Sequence, residues 1–383
     1  MGWYAPRPMA STANARDGRL VVLGVGDVGP YYEPVPDYLS LAKATLESGD
    51  IRFAHCEKVF STRGTMQVHS DGHYSRQDPS RARIFAECGF DVVSLAGNKA
   101  MDWGPEAMLD TFELFEKMGI RAIGGGRDLA EARRPAIVER NGVRVAFLAY
   151  SCVLREGYAA TPASPGTAPV RVHTYYRPHD WQPGTPPEIV TIPYEDDLRG
   201  LREDVAAAKK RAHAVIVSLH WGIHNIPRVL ADYQRTVAKA AFESGADVIF
   251  GHHPHIPKGV EVFDGKVCFY SLSHFLWSQR EIGDHVPGHI GGVRHGVQND
   301  PAYPRLPMGP DAMKSLIGRV VVTPQGVERV SFHPVRIDTQ LRPEVLFARD
   351  PRFAAAVEHM EWASEGLRHR FTVEGDEVVV SGE

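Results

Sequence analysis

Three histidines fall within four residues in the stretch GHHPH, His252, His253 and His255, directly after the apolar run 248–250. Other polar side chains occupy matching places. Asp27 follows the run VVLGVG, Glu57 follows IRFAHC, Asn98 follows VVSLAG and His220 ends HAVIVSL. Carboxylate, imidazole and amide oxygen together suit Zn, Mn or Fe rather than calcium. Neutral imidazole is the commonest metal ligand, and a His-x-His step on an extended segment aims both rings to one side. His253 and His255 are therefore expected to ligate. Of the 18 histidines in the chain, nine lie within residues 220–295, one fifth of its length, which argues for a site rather than scattered core histidines. Cys56 adjoins Glu57, but alternation turns it to the other face.

These residues need elements that bring them together. Short apolar runs alternate with helical patterns along most of the chain. RLVVLGVGDVGP, IRFAHCE, DVVSLAGN, HAVIVSLHWG and ADVIFGHHPH read as buried strands, and KVCFYSLSHF as another. VPDYLSLAKATLESGD, PSRARIFAECGF, GPEAMLDTFELFEKMG and YEDDLRGLREDVAAAKKRA read as helices. PAIVERNGVRVAFLAYS reads as two strands about the Asn141-Gly142 turn signal, and SLIGRVVVTPQGVERVSFHPVRID as a hairpin about 324–326. This is an α/β pattern. In such sheets, sites form outside the carboxyl ends of strands, which is where the candidate ligands fall. Residues 1–17 read as a flexible tail and 18–340 as one domain with loop insertions at about 153–194 and 278–312. Residues 341–383 read as a C-terminal extension packed on it.

Bulk properties exclude several classes. The net charge is −4 and the pI about 6.5, so neither nucleic acid nor a membrane surface is expected as a partner. No 18-residue apolar run is present and the first 20 residues lack the apolar core of a secretory signal. The four cysteines form no CxxC pair or disulfide framework, which suits a reduced, cytoplasmic setting. The expected partner is a small-molecule or peptide substrate. The oligomeric state is left open, a homo-oligomer included.

The blocks GDV (26–28), CEK (56–58), SLAGNKAMDWG (94–104), SLHWGIH (218–224) and GADVIFGHHPHIPKGVEVFDGKVCFYSLSHF (245–275) together resemble the CapA family, named for capsule and poly-γ-glutamate synthesis. The match runs in order over about residues 19–336. The family resembles a branch of the calcineurin-like metallophosphoesterases, and the resemblance implies a four-layer α/β/β/α sandwich with a two-metal site at one edge. It implies that Asp27 and His255 hold one divalent ion, that Asn98, His220 and His253 hold the other, and that Glu57 bridges them. Two transition ions, Mn, Zn or Fe, would serve to activate water.

This chain departs from the family pattern at four positions. Lys99 stands where a histidine is expected after Asn98. His55 replaces the asparagine that opens the glutamate motif, His224 replaces a glutamate after His-Trp-Gly, and His274 replaces the asparagine of SLGNF. Lys99, His55 and His274 are accordingly the candidate acid/base groups. His224, His252, Arg294 and His295 are candidate substrate contacts, with His252 also able to support a ligand, and Lys258 is expected on a solvated surface. Three functions follow: a metal-dependent hydrolase of a small or peptide-like anionic substrate, a metal-assisted isomerase, epimerase or lyase, and a non-catalytic factor in capsule or polyglutamate synthesis.

Overall fold

The computed structural model describes residues 18–70, 73–180, 182–279 and 300–382. The chain first lays down four strands of a ten-stranded sheet, β1 (Leu20–Gly29), β2 (Ile51–Cys56), β3 (Val92–Ser94) and β4 (Arg121–Ile123). It then builds a six-stranded sheet from β5 (Ala136–Arg140), β6 (Val143–Ser151), β7 (Ala214–His220), β8 (Val248–His252), β9 (Val260–Phe263) and β10 (Lys266–Phe269). It returns to the first sheet with β11 (His274–Trp277), β12 (Lys314–Thr323), β13 (Gly326–Ile337), β14 (Pro343–Val345), β15 (Arg370–Glu374) and β16 (Glu377–Ser381).

The larger sheet runs β15-β16-β13-β12-β1-β2-β3-β4, with β11 beside β1 and β14 beside β13. The smaller runs β9-β10-β8-β7-β6-β5. Each has a parallel centre, β1 through β4 in one and β6, β7, β8 and β10 in the other. Strands buried on both faces read as continuous apolar runs, which is why the alternation of runs and helices was visible. The helices are α1 (Lys43–Glu47), α2 (Arg83–Glu87), α3 (Gly104–Lys117), α4 (Leu129–Ala132), α5 (Glu195–Lys209), α6 (Asp232–Glu243) and α7 (Pro351–Ser364).

Three large apolar clusters fix the layer order. Leu20, Val22, Phe53 and Val92 of the larger sheet pack against Phe147, Ile216, Val248 and Phe250 of the smaller. Phe53 and Phe147 stack with centroids 5.7 Å apart and planes 2° from parallel. The outer face of the larger sheet meets Leu46 of α1, Phe85 of α2 and Phe115 of α3. The outer face of the smaller meets Leu201 and Val205 of α5 and Val237 of α6. The fold is thus a four-layer α/β/β/α sandwich. Helix α7 adds Phe353 and Met360 to the inter-sheet core.

Several elements differ from expectation. KVCFYSLSHF is not one strand: its first part is β10 in the smaller sheet and its last is β11 in the larger, with residues 270–273 crossing between them. Gly251 permits this crossing, since a Cβ there would collide with the Tyr270 carbonyl oxygen. The helix expected near 36–50 shrinks to α1, whose first turn has no side-chain cap. The C-terminal residues do more than pack on the domain: β16 pairs with β13 and extends the larger sheet. Within the expected 153–194 insertion, strands Val172–Arg177 and Glu188–Pro193 pair as a hairpin. The tail 1–17 lies outside the described residues. None of the described helices is long and apolar enough to cross a membrane.

Candidate metal centre

The strand register assembles the site in two rows. Asp27 of β1 lies beside His55 of β2 and His274 of β11. His220, the last residue of β7, lies beside His252, the last of β8. Because the two sheets are stacked, the rows face each other.

Asp27 is fully buried. It accepts hydrogen bonds from His252 Nδ1 at 3.2 Å and from the His253 backbone N–H at 3.4 Å, and it lies 3.3 Å from His255 Nδ1. His255 Nδ1 is also 2.7 Å from His274 Nε2. Glu57 stands between two groups. Its Oε1 is 3.9 Å from His255 Nε2, on the Asp27 side. Its Oε2 accepts from His55 Nε2 at 3.1 Å and is 3.9 Å from His220 Nδ1. His220 Nε2 is in turn 3.2 Å from Asn98 Oδ1 and 3.1 Å from His253 Nδ1.

All six expected ligands therefore converge, although Asp27 and His253 are 226 positions apart in the chain. His55, expected as an acid/base group, joins them: ligand atoms of His55, Glu57 and His220 lie within 4.8 Å of one another. Glu57 Oε1 and His220 Nδ1 are buried without a hydrogen-bond partner among the described residues. A buried carboxylate oxygen and a buried imidazole nitrogen left in that state fit a cation. Cys56 faces the core and its Sγ donates to the Lys58 carbonyl at 3.0 Å, so no thiolate enters the donor set.

Local backbone geometry corrects one expectation. His253 and His255 do not lie on an extended segment, since β8 stops at His252. Their φ angles are 95° and 60°, in the left-handed region that non-glycine residues seldom adopt. Such conformations cost about 1–3 kcal/mol each and persist where the surroundings over-determine them, commonly at functional sites.

The electrostatics favour the ligating protonation states. Burial alone raises the Asp27 carboxyl, but hydrogen bonds from His252 and His255 outweigh it and hold the group well below the usual carboxylate range. Burial likewise raises Glu57, and the His55 hydrogen bond brings it below its ordinary value. Burial, with neighbouring imidazoles, holds His220 and His253 well below the usual range, and lowers His274 to about 3. Neutral imidazole and ionised carboxylate are the forms that bind metal.

The remaining candidates divide. His224 packs its ring 3.8 Å from that of His253 and 5.2 Å from that of His255, at the edge of the cluster. His252 is fully buried behind Asp27 and beside His55, so its ring supports a carboxylate instead of facing a substrate. Lys99 donates to the Tyr74 hydroxyl at 3.4 Å. Arg294 and His295 lie outside the described residues. Lys258 is not a surface residue: it is 1% exposed, and its Nζ donates to the carbonyls of Ile226 and Val229. Asp102 accepts from Arg155 at 2.7 Å and Tyr158 at 2.9 Å, tying its turn to the long loop after β6. Sequence reasoning missed Lys58, which is 1% exposed and lowered by burial to about 7. Its signal was a charge placed directly after Glu57 between apolar residues. Tyr74 gave no signal.

The bacterial capsule synthesis protein family PGA_cap matches residues 13–279. The PGA biosynthesis protein CapA of Bacillus subtilis (strain 168) is 31% identical over 281 residues, 72% of this chain and 62% of that protein. The capsule biosynthesis protein CapA of Bacillus anthracis is 29% identical over 229 residues, 59% and 49% of the two chains. A probable polyglutamine synthesis accessory protein of Mycobacterium tuberculosis is 29% identical over 230 residues, 57% and 55%. The chain thus spans about half to three-fifths of the length of these relatives. Among solved structures, a hypothetical protein from Thermus thermophilus overlaps 82% of this chain and 98% of its own, at 15% identity and a TM-score of 0.45. The calcineurin-like phosphoesterase YfkN from Bacillus subtilis overlaps 90% and 98%, at 11% identity and 0.36. Both overlaps are distant, and the layer order rests on the chain's own packing. With the family match covering more than two thirds of its length and including every residue of the cluster, the chain belongs to the PGA_cap family of bacterial capsule synthesis proteins.

Proposed function

We propose that the chain is a metal-dependent hydrolase that acts on a small or peptide-like anionic substrate in capsule or polyglutamate metabolism. The observation that carries this reading is the Glu57 carboxylate. It is 2% exposed, and its two oxygens address two separate groups of N and O donors. Asp27 and His255 would hold one divalent ion, Asn98, His220 and His253 the other, and Glu57 both, with His55 near enough to join the second. When bound, such ions polarise substrate oxygens and lower the pKa of water.

The chain's own groups do the rest. His252 fixes the orientation of Asp27, and His274 that of His255, as hydrogen-bonded neighbours of ligands commonly do. Lys99, with Tyr74, holds a proton at Nζ beside Asn98 and can stabilise developing negative charge. The test is metal quantification on the full chain, followed by titration with Mn²⁺ and Zn²⁺ and assays on phosphate esters and poly-γ-glutamate oligomers. Absence of uptake for both ions ends the reading.

A second reading is favoured by the amine–phenol pair Lys99–Tyr74. These groups can move a proton at a carbon next to a carbonyl, which would make the chain an isomerase, epimerase or lyase. Deuterium entering a substrate from solvent without hydrolysis distinguishes it from the first.

A further inference from the structure

We propose that Lys258 is a positioning residue: it pegs the loop 222–231 so that the His224 ring backs the rings of His253 and His255. What those two rings hold rests on the hydrolase reading, whereas the peg stands on the chain's own geometry.

Between β7 and α6, residues 222–231 form neither helix nor strand, and Gly222, Asn225 and Arg228 have φ angles of 89°, 54° and 64°. Non-glycine backbone of this kind keeps its course only where its surroundings dictate it. The loop is also turned against its own hydrophobicity. Ile226 and Val229 are 37% and 45% exposed, while their carbonyls meet one buried amine. Lys258 Nζ donates to the Ile226 carbonyl and, at 3.0 Å, to that of Val229. No carboxylate pairs with it among the described residues, and burial alone acts on its charge. An ammonium buried without a counter-ion is costly to a fold. What this one secures is the position of the loop.

The other end of the peg is firm. The Lys258 backbone N–H donates to the Ser271 carbonyl at 3.3 Å, and Pro257 forms a β-bridge with Leu272, within the crossing between the sheets. At Gly259 a Cβ would lie 2.6 Å from the Ala363 carbonyl oxygen, so α7 closes in the chain there. A further tie joins Arg228 to Glu365 at 2.6 Å, with side chains 39% and 65% exposed. Water screens such a pair, and it contributes little. Lys258 therefore carries the larger share of the restraint.

The loop carries His224. Its ring centroid is 3.8 Å from that of His253 and 5.2 Å from that of His255, the second pair 13° from parallel. His253 and His255 both have positive φ and lie beyond the end of β8, so no ladder steadies them. Asn225, next to His224, donates its backbone N–H at 3.0 Å to the carbonyl of Pro254, the residue between the two histidines. With methionine at 258 the two loop carbonyls lose their donor and are satisfied by turning to water. The loop then rises, His224 leaves with it, and both rings are free to turn.

The experiment compares Lys258→Met with the wild type in the full chain, first after chelator treatment. Amide hydrogen exchange over residues 223–230, read by mass spectrometry, should quicken by about tenfold or more while β7 and β8 exchange as before. In NMR of histidine-labelled protein, the ring signals displaced by His224→Ala should be displaced by Lys258→Met as well, the signature of a neighbouring ring withdrawn. Glu365→Gln, which removes the exposed tie, should leave both readouts as in the wild type. In a Mn²⁺ titration, Lys258→Met and His224→Ala should each weaken binding by about tenfold. The double variant should bind no more weakly than the weaker single one, because one residue acts through the other. Unchanged loop exchange, undisplaced histidine signals, two losses that multiply in the double variant, or equal loosening by Glu365→Gln would overturn the proposal. Should Lys258→Met fail to fold, Lys258→Gln, whose shorter stem withdraws the donors, takes its place with the same expectations. Wild-type protein that takes up neither Mn²⁺ nor Zn²⁺ removes the hydrolase reading, and loop exchange and the histidine signals then decide the peg.

Discussion

Replacing Glu57 by glutamine alters one atom of the side chain and addresses both halves of the cluster at once. A ligand that binds only the folded chain stabilises it by about 2.7 kcal/mol at a hundred times its dissociation constant. Unfolding entropy is about 2.1 cal/mol/K per residue, so for 383 residues a change of 1 kcal/mol moves Tm by little more than about 1 °C. Saturating Mn²⁺ or Zn²⁺ is therefore expected to raise the wild-type Tm by roughly 3 °C, and more at higher excess. In Glu57→Gln one of the two acceptors becomes an N–H donor aimed at a group of would-be ligands, and the negative charge is lost from both sides. The metal-induced rise should fall below about 1 °C. Without metal, the variant loses only the charge-assisted bond from His55 at 3.1 Å, about 1.5–3 kcal/mol, a drop of roughly 2–4 °C. Differential scanning calorimetry of both proteins, with chelator and with metal, reads all four values. A variant that keeps the full metal-induced rise would refute the argument that this carboxylate serves two ions.

Other expectations follow from the same geometry. His252→Ala should weaken Mn²⁺ binding by about 10–100-fold, because Asp27 loses the ring that fixes it, and unchanged affinity by calorimetric titration would remove that role. Gly251→Ala sets a Cβ against the Tyr270 backbone and should cost about 1–3 kcal/mol in urea unfolding, whereas wild-type stability would show that the crossing tolerates movement. Burial lowers Lys258 to about 8 from its ordinary 10.5, so the unfolded chain binds more protons between those values. Stability from this residue is thus lowest below pH 8 and rises toward pH 10.5, by up to about 3 kcal/mol. Lys258→Met should remove that rise from the difference between the two stability curves, and parallel curves for both proteins would contradict it.

Much of the site could be read from the chain because strand ends announce themselves. Apolar runs that stop at Asp27, Glu57, His220 and His252 carry their register with them, and parallel neighbours bring their ends to one edge. What stayed hidden depends on backbone turns or on partners remote in sequence. The spacing of His253 and His255 matched an extended segment, yet both adopt positive φ, a choice made by the packing around Asp27 and not by local preference. Lys258 reads as a surface residue until the carbonyls of Ile226 and Val229, some 30 positions upstream, are seen to hold it. Lys58 gave a weak signal, since its burial is set by Tyr74, Trp277 and the absence of a side chain at Gly29. The division of KVCFYSLSHF between two sheets could not be read from periodicity, since both halves are apolar.

That division has a mechanical side. Residues 270–273 stitch one sheet to the other, with Leu272 donating to the Gly251 carbonyl and Asp27 donating to that of Ser273. Peeling either sheet away would tear the stitch and pull His274 from His255 in the same motion. The constellation of histidines is therefore an all-or-none possession of the finished molecule: no half-built chain could hold it, and melting should abolish it in a single step.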